Sequence, residues 1–337
     1  MKTIFNTSEI NLEQQVHALF YLNAFDTICT KSKGMVNIVP LKGIDLLRFL
    51  YADTLDRELH DIDLLVFPPQ KAMDFIEMLQ KDGYRQEFSH ALDKVALASK
   101  KKVSMLPSSD LLPHIDVHLA FITKKFFSDT INDFNQDALS RLKKVDDVVY
   151  ILDDVDRWLY LSTHFAFHYL TGDKWCRDLI LILERFNEEQ RHTLLQRTEQ
   201  YHLERVVWTV VNVLQSRYPE ITDKMDILHR LSEKMEKRFM HYIHFITSHP
   251  QQVSHGFRLS RYYWEFIFIS HSGQRFRALI ALLFPSLGDM QNIYRCHILK
   301  AIVLYIPHIL MNTLGMFAFW IQYNLFANYQ ILSSNER

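Results

Sequence analysis

The chain has 337 residues, 48% hydrophobic and 23% charged, a balance that excludes disordered, collagenous and low-complexity classes. Its 38 Lys and Arg stand against 39 Asp and Glu, so coating of nucleic acid by bulk charge is excluded and any polyanion site must be local. Glycine is scarce at 8 residues, and neither G-x-G-x-x-G nor G-x-x-x-x-G-K-[ST] occurs, which leaves metal ions or basic side chains to hold any phosphate.

Residues 12–29 repeat apolar positions at spacings of three and four and are followed by Gly34, which predicts an opening helix. Met35–Leu41 reads as a strand ending at Lys42-Gly43, and Ile44–Tyr51 returns to helical period. Asp61–Phe67 reads as a second strand, closed by Pro68-Pro69; Gln70–Lys81 is an amphipathic helix stopped by Gly83. Two or three short β segments are expected between Tyr84 and Met105, and His114–Phe121 alternates as a further strand. From Val149 onward the period is helical. The predicted fold is therefore α+β: residues 1–148 form a small mixed β-sheet with helices, including the opening one, and residues 149–337 form an all-α region.

Cys29, Cys176 and Cys296 are far apart and lack C-x-x-C spacing, which fits a reducing compartment better than a disulfide or zinc framework. No apolar signal-like run precedes Leu12, so a cytoplasmic location is expected.

The chemistry concentrates in Lys42-Gly43, Arg57, Asp61-Ile-Asp63 and Asp116-Val-His118. Residues two apart on a strand share a face, so Asp61 and Asp63 project together while Ile62 and Leu64 enter the core. Adjacent carboxylates repel unless a cation sits between them, a geometry suited to Mg²⁺, which takes hard oxygen ligands and leaves places for substrate phosphates. Asp116 can supply a third carboxylate, and three can hold two ions, with Mn²⁺ as an alternative. A D-x-D also occurs in turns and in metal-dependent glycosyltransferases. Here the apolar neighbours would bury the charges in a hydrophobic sheet, which is costly without a compensating partner.

Leu41-Lys42-Gly43, a helix containing Tyr51, Arg57-x-x-x-Asp61-Ile-Asp63-Leu-Leu-Val, Gly83-Tyr84 and Asp116-x-His118 together resemble the bacterial uncharacterised nucleotidyltransferase family of the polymerase-beta-like superfamily. Further along, His164, Trp175 and Asp178 resemble the family's His-rich helix and Trp-x-x-Asp, and Leu283-Phe-Pro-Ser286 with Tyr294 its late segment. The resemblance implies Asp61, Asp63 and Asp116 as catalytic metal ligands, Asp116 on the side of the acceptor hydroxyl, and a helical region closing a nucleotide cleft. It also implies that backbone N–H groups at Gly43 approach the triphosphate. The superfamily usually has Gly-Ser there, whereas this chain has Gly43-Ile44, so Lys42 or Arg57 would have to substitute for the missing hydroxyl.

Arg57 suits either a phosphate clamp or an ion pair with Glu58, and His118 either supports a metal ligand from behind or is structural. His164 is expected to contribute from the helical region in the same supporting way. His164 and His168 have the spacing of a zinc helix, but Phe165 stands where the Glu of H-E-x-x-H would be, so cleft contacts or packing with Tyr169 fit better. Asp178 is expected to form an ion pair at the domain interface.

Between Lys237 and Lys300 eight basic residues face two acidic ones, and Ala301–Asn335 carries no charge. This combination fits a packed C-terminal helical hairpin, a peripheral membrane contact through residues 237–330, or an RNA or phosphorylated acceptor. The leading expectation is a Mg²⁺-dependent transfer of a nucleoside monophosphate from an NTP to a small-molecule, RNA or protein acceptor; no DNA-binding motif is visible. A catalytically silent nucleotide-, RNA- or protein-binding module on the same fold is the alternative. A D-x-D glycosyltransferase would need more strands than the sequence offers.

Overall fold

The computed structural model describes residues 12–52, 55–87, 102–122, 128–220, 231–232, 235–248, 265–269, 272–294 and 298–334. The described residues up to 122, together with 137–153, form one compact unit; residues 128–136 and those from 154 onward form a second. The division thus falls at 153/154, and one helix carries residues of both units.

In the first unit, helix α1 (Leu12–Lys31) buries Ala18, Tyr21, Phe25 and Ile28, the three-and-four spacing of a single face. A sheet follows, built from β1 (Asn37–Leu41), β2 (Ile62–Phe67), β3 (Tyr84–Gln86), β4 (Lys102–Pro107) and β5 (Ile115–His118) in the order β1-β2-β5-β4-β3. β2 and β5 are parallel, and every other pairing is antiparallel. Helix α2 (Lys42–Phe49) lies against β1 and β2, and α3 (Ala72–Lys81) against β3. The short segments foreseen between Tyr84 and Met105 correspond to β3 and the start of β4; residues 88–101 lie outside the described residues.

The order of strands follows from their side chains. β2 is buried from Ile62 to Val66, as an interior strand with both faces covered must be. β1 contains Pro40, which cannot donate to a ladder, and sits at the edge. The Ile38 N–H points outward to Val148 O at 2.8 Å, so the position two residues on, where Pro40 has no N–H, also faces away from β2. On β4 and β5, Val103, Met105, Ile115 and Val117 alternate into the core while Lys102, Ser104, Asp116 and His118 take the other face. A two-stranded ribbon, β6 (Lys143–Lys144) with β7 (Tyr150–Ile151), is too short to show in the hydrophobic pattern. Its turn is held by Asp146, whose Oδ1 accepts the N–H groups of Val148 and Val149 at 2.9 Å each.

Helix α4 (Ser128–Ser140) spans the division between units. In the second unit α5 (Asp154–Phe167) packs against α6 (Asp173–Arg185), α7 (Glu188–Gln200) and α8 (Glu204–Arg217), and is buried almost all round. Its Asp156 is inaccessible and is neutralised by Arg197 at 2.8 Å. Beyond them come α9 (Lys237–Ser248), α10 (Ser272–Leu283), α11 (Leu287–Tyr294), α12 (Ile298–Val303) and α13 (Tyr305–Ser334). The stretch read as a hairpin is one long helix preceded by a short one. Pro307 falls in the first turn of α13, where its missing N–H breaks no internal bond, and Asn312 and Gly315 are buried against neighbouring helices rather than ending the helix.

Because Leu64 is fully buried on the interior strand β2, Leu64→Ala is expected to lower stability by about 3 kcal/mol. Urea unfolding followed by circular dichroism measures this, and the corresponding change at exposed Leu111 should be near neutral.

Candidate metal centre

Parallel pairing sets Asp63 of β2 directly opposite Asp116 of β5, and the antiparallel β4 sets Ser104 opposite Asp116 and Lys102 opposite His118. Residues opposite each other across a ladder share a face, so five polar side chains from three strands converge on one side of an otherwise apolar sheet. Asp63, Asp116 and His118 are all buried, and one ligand atom from each lies within 4.8 Å of the other two.

The charges are closely paired. Asp63 Oδ1 accepts from Lys42 Nζ at 2.5 Å and from His118 Nε2 at 2.8 Å. Asp116 accepts from Ser104 Oγ at 2.6 Å through Oδ1 and from the Lys102 ammonium through Oδ2. Lys42 is the first residue of α2 and has φ 50°, a left-handed conformation that turns the chain sharply out of β1. Burial alone would raise the Asp63 pKa, but the Lys42 ammonium and the His118 hydrogen bond outweigh it and hold the carboxyl well below the usual range. Burial lowers the His118 pKa despite Asp63, so the imidazole is neutral. Since Asp63 is ionised and can only accept, the His118 proton sits on Nε2, which leaves Nδ1 buried without a hydrogen-bond partner. His114 Nε2, 3.7 Å from Asp116 Oδ1, is likewise buried without a partner.

Asp61 lies immediately before β2 rather than within it and is half-buried. Its pKa is raised by burial first and then by Asp63 and Asp116, opposed by Lys42 and Lys102. It therefore feels the whole cluster without belonging to the close trio. Gly43 occupies the first turn of α2, and a Cβ there would come within 2.4 Å of Leu59 Cδ2. Ile44, where a hydroxyl was missed, is fully buried, so its side chain serves the core. Arg57 is buried and donates from Nη1 to the Glu58 backbone carbonyl at 2.6 Å, while the Glu58 carboxylate lies 3.7 Å from His60. His164 belongs to the second unit, its ring centroid 4.3 Å from that of His168 and 4.9 Å from that of Trp175. Asp178 is buried on α6.

Lys102, Ser104 and His114 escaped the sequence reading. The alternation Lys102-Val-Ser104-Met carries the signal for two of them, but only the register of β4 on β5 tells which strand they face.

Two buried carboxylates side by side with an imidazole form a group that could hold a metal ion. A mixed five-stranded sheet that presents paired aspartates on one face, followed by helices, defines an α+β protein. A family model described as uncharacterised nucleotidyltransferase matches residues 8–219, and the chain belongs to that family. The match takes in the whole five-stranded sheet and the helices through α8. No curated protein and no solved structure matches the chain.

Titration with Mn²⁺ or Mg²⁺ is expected to raise the melting temperature of the wild type through preferential binding to the folded state. The double substitution Asp63→Asn with Asp116→Asn should abolish that rise, as read by differential scanning fluorimetry.

Proposed function

We propose that the chain is a metal-dependent nucleotidyltransferase of the polymerase-beta-like type, which moves a nucleoside monophosphate from an NTP to a hydroxyl or phosphate of an acceptor. The observation that carries this reading is the placement of Asp63 beside Asp116 with His118, buried on one sheet face, in a member of a nucleotidyltransferase family.

Asp63 and Asp116, with His118, would hold Mg²⁺, or Mn²⁺ in its place; Asp61, coupled to both aspartates, is the third carboxylate and would let the site take a second ion. Bound there, the ions would polarise the α-phosphoryl group and make an acceptor hydroxyl more acidic. Lys42 keeps Asp63 ionised, Lys102 pairs with Asp116, and both offer ammonium groups to an incoming triphosphate. Arg57 and the N–H groups around Gly43 are the remaining candidates for phosphate contact. In the transfer, the acceptor oxygen forms a bond to the α-phosphorus, the bond to the β-phosphate oxygen breaks, and pyrophosphate leaves. For a hydroxyl acceptor, Asp116 is the side chain assigned to take the proton. The contacts of His164 with His168 and Trp175 favour a packing role over its assigned supporting one.

One observation favours the second reading, a silent nucleotide-binding module: both carboxylates already carry lysine partners, which neutralise the pair without a metal. Incubation with each α-³²P-labelled NTP, Mg²⁺ or Mn²⁺ and a cell extract separates the two. Transfer of label to a macromolecule or small molecule, reduced about a hundredfold or more by Asp63→Asn, is the expected outcome. Nucleotide binding without transfer would establish the silent module, and absence of both would overturn the proposal.

A further inference from the structure

Helix α13 is arranged inside out. Its buried side carries polar groups: Asn312 Nδ2 donates to Leu282 O at 3.3 Å, His308 Nε2 lies 2.7 Å from Asn312 Nδ2, and Tyr294 OH meets His308 Nδ1 at 3.1 Å. Its exposed side carries Ile306, Leu310, Leu314, Phe317, Trp320 and Ile321, at spacings of three and four along one stripe about 22 Å long. Leu314 is 71% exposed, and Phe317 and Trp320 are 61% exposed each, with their rings stacked at 6.4 Å. Helix α10 adds Phe276 and Ile280, and Phe284 follows directly after its end, again exposed at intervals of four. Isolated exposed apolar residues need no explanation, but a continuous stripe of large ones on a helix whose polar groups are turned inward marks a surface that meets something apolar.

Charge identifies the occupant. Residues 290–335 contain no acidic residue, while Lys300 on α12 and Arg277 on α10 are exposed among these apolar side chains. A second copy of the chain would oppose the same cations to themselves, because an isologous interface places a patch against itself. A bilayer with anionic headgroups supplies both missing elements, apolar depth for the stripe and negative charge for the rim. Trp320 is of a type that settles at the headgroup boundary, and Phe317 stacked on it adds apolar area. No helix of the described residues is long and apolar enough to cross a membrane, so contact along the helix flank is the geometry available. We propose that the outer faces of α13 and α10 attach this protein peripherally to an anionic membrane surface. The inference stands apart from the nucleotidyltransferase reading, since it uses none of the residues of the metal centre.

The test is flotation of the full chain with vesicles of phosphatidylglycerol and phosphatidylcholine against vesicles of phosphatidylcholine alone. Binding to the anionic vesicles is expected, reduced about tenfold or more by the triple substitution Leu310→Gln, Leu314→Gln and Phe317→Gln. These positions are exposed and glutamine favours helix, so circular dichroism should be unchanged. The pair Arg277→Glu and Lys300→Glu should weaken anionic binding several-fold independently of the apolar stripe. Failure of the wild type to float with anionic vesicles would overturn the proposal. So would a concentration-dependent dimer, seen by sedimentation, that dissociates with the triple substitution while flotation is unaffected.

Discussion

Two carboxylates placed side by side on adjacent strands inside a sheet govern the architecture of the first unit. With ligand atoms within 4.8 Å, Asp63 and Asp116 repel by about 3 kcal/mol or more at an effective dielectric of ~20. That repulsion, added to the desolvation of both, must be offset by neighbours. Lys42, His118, Lys102 and Ser104 do this, and each arrives from a different place in the chain order: the β1–α2 corner, the end of β5, and two alternate positions of β4. The strand order is thus tied to the charge balance. Moving β4 by one residue would turn Lys102 and Ser104 to the opposite face and leave Asp116 buried without its two partners.

Legibility of the sequence varied with how local the determining physics was. Asp63 and Asp116 stood out because each interrupts an apolar run, and the expected mixed sheet followed from strands too poorly separated by helices for a doubly wound fold. Lys102 and Ser104 were hidden because their role depends on register with a strand about a dozen residues away, which no local pattern specifies. Asp61, expected on the strand face with Asp63, stands one residue before β2 and is half-buried where Asp63 is buried, a difference in depth that the D-x-D spacing does not carry. The C-terminal stretch misled for a different reason. The uncharged run fits a hairpin in composition, but Pro307 in a first turn and buried Asn312 with a carbonyl partner are both compatible with one continuous helix.

The second unit solves its burial problem with similar chemistry. Asp156 on the nearly inaccessible α5 is neutralised by Arg197, and Arg205 is buried with Glu236 at 2.5 Å and with Ile267 O at 2.7 Å. Removing one member of such a pair leaves an uncompensated charge, so these contacts bear more on which packing is allowed than on net stability. Buried histidine nitrogens without a hydrogen-bond partner occur in both units, His118 Nδ1 and His114 Nε2 in the first and His241 Nδ1 in the second.

The left-handed backbone at Lys42 has an evolutionary consequence. An ordinary side chain in that region costs about 1–2 kcal/mol, and glycine would adopt it freely. Glycine would also delete the ammonium that keeps Asp63 ionised. Conformational ease and electrostatic need are therefore opposed at a single residue, and the cost of leaving buried Asp63 without its cation outweighs the strain that glycine would relieve. Retention of lysine among descendants of this sequence would record selection on the carboxylate pair; drift to glycine or asparagine would mark lineages in which that selection had been relaxed.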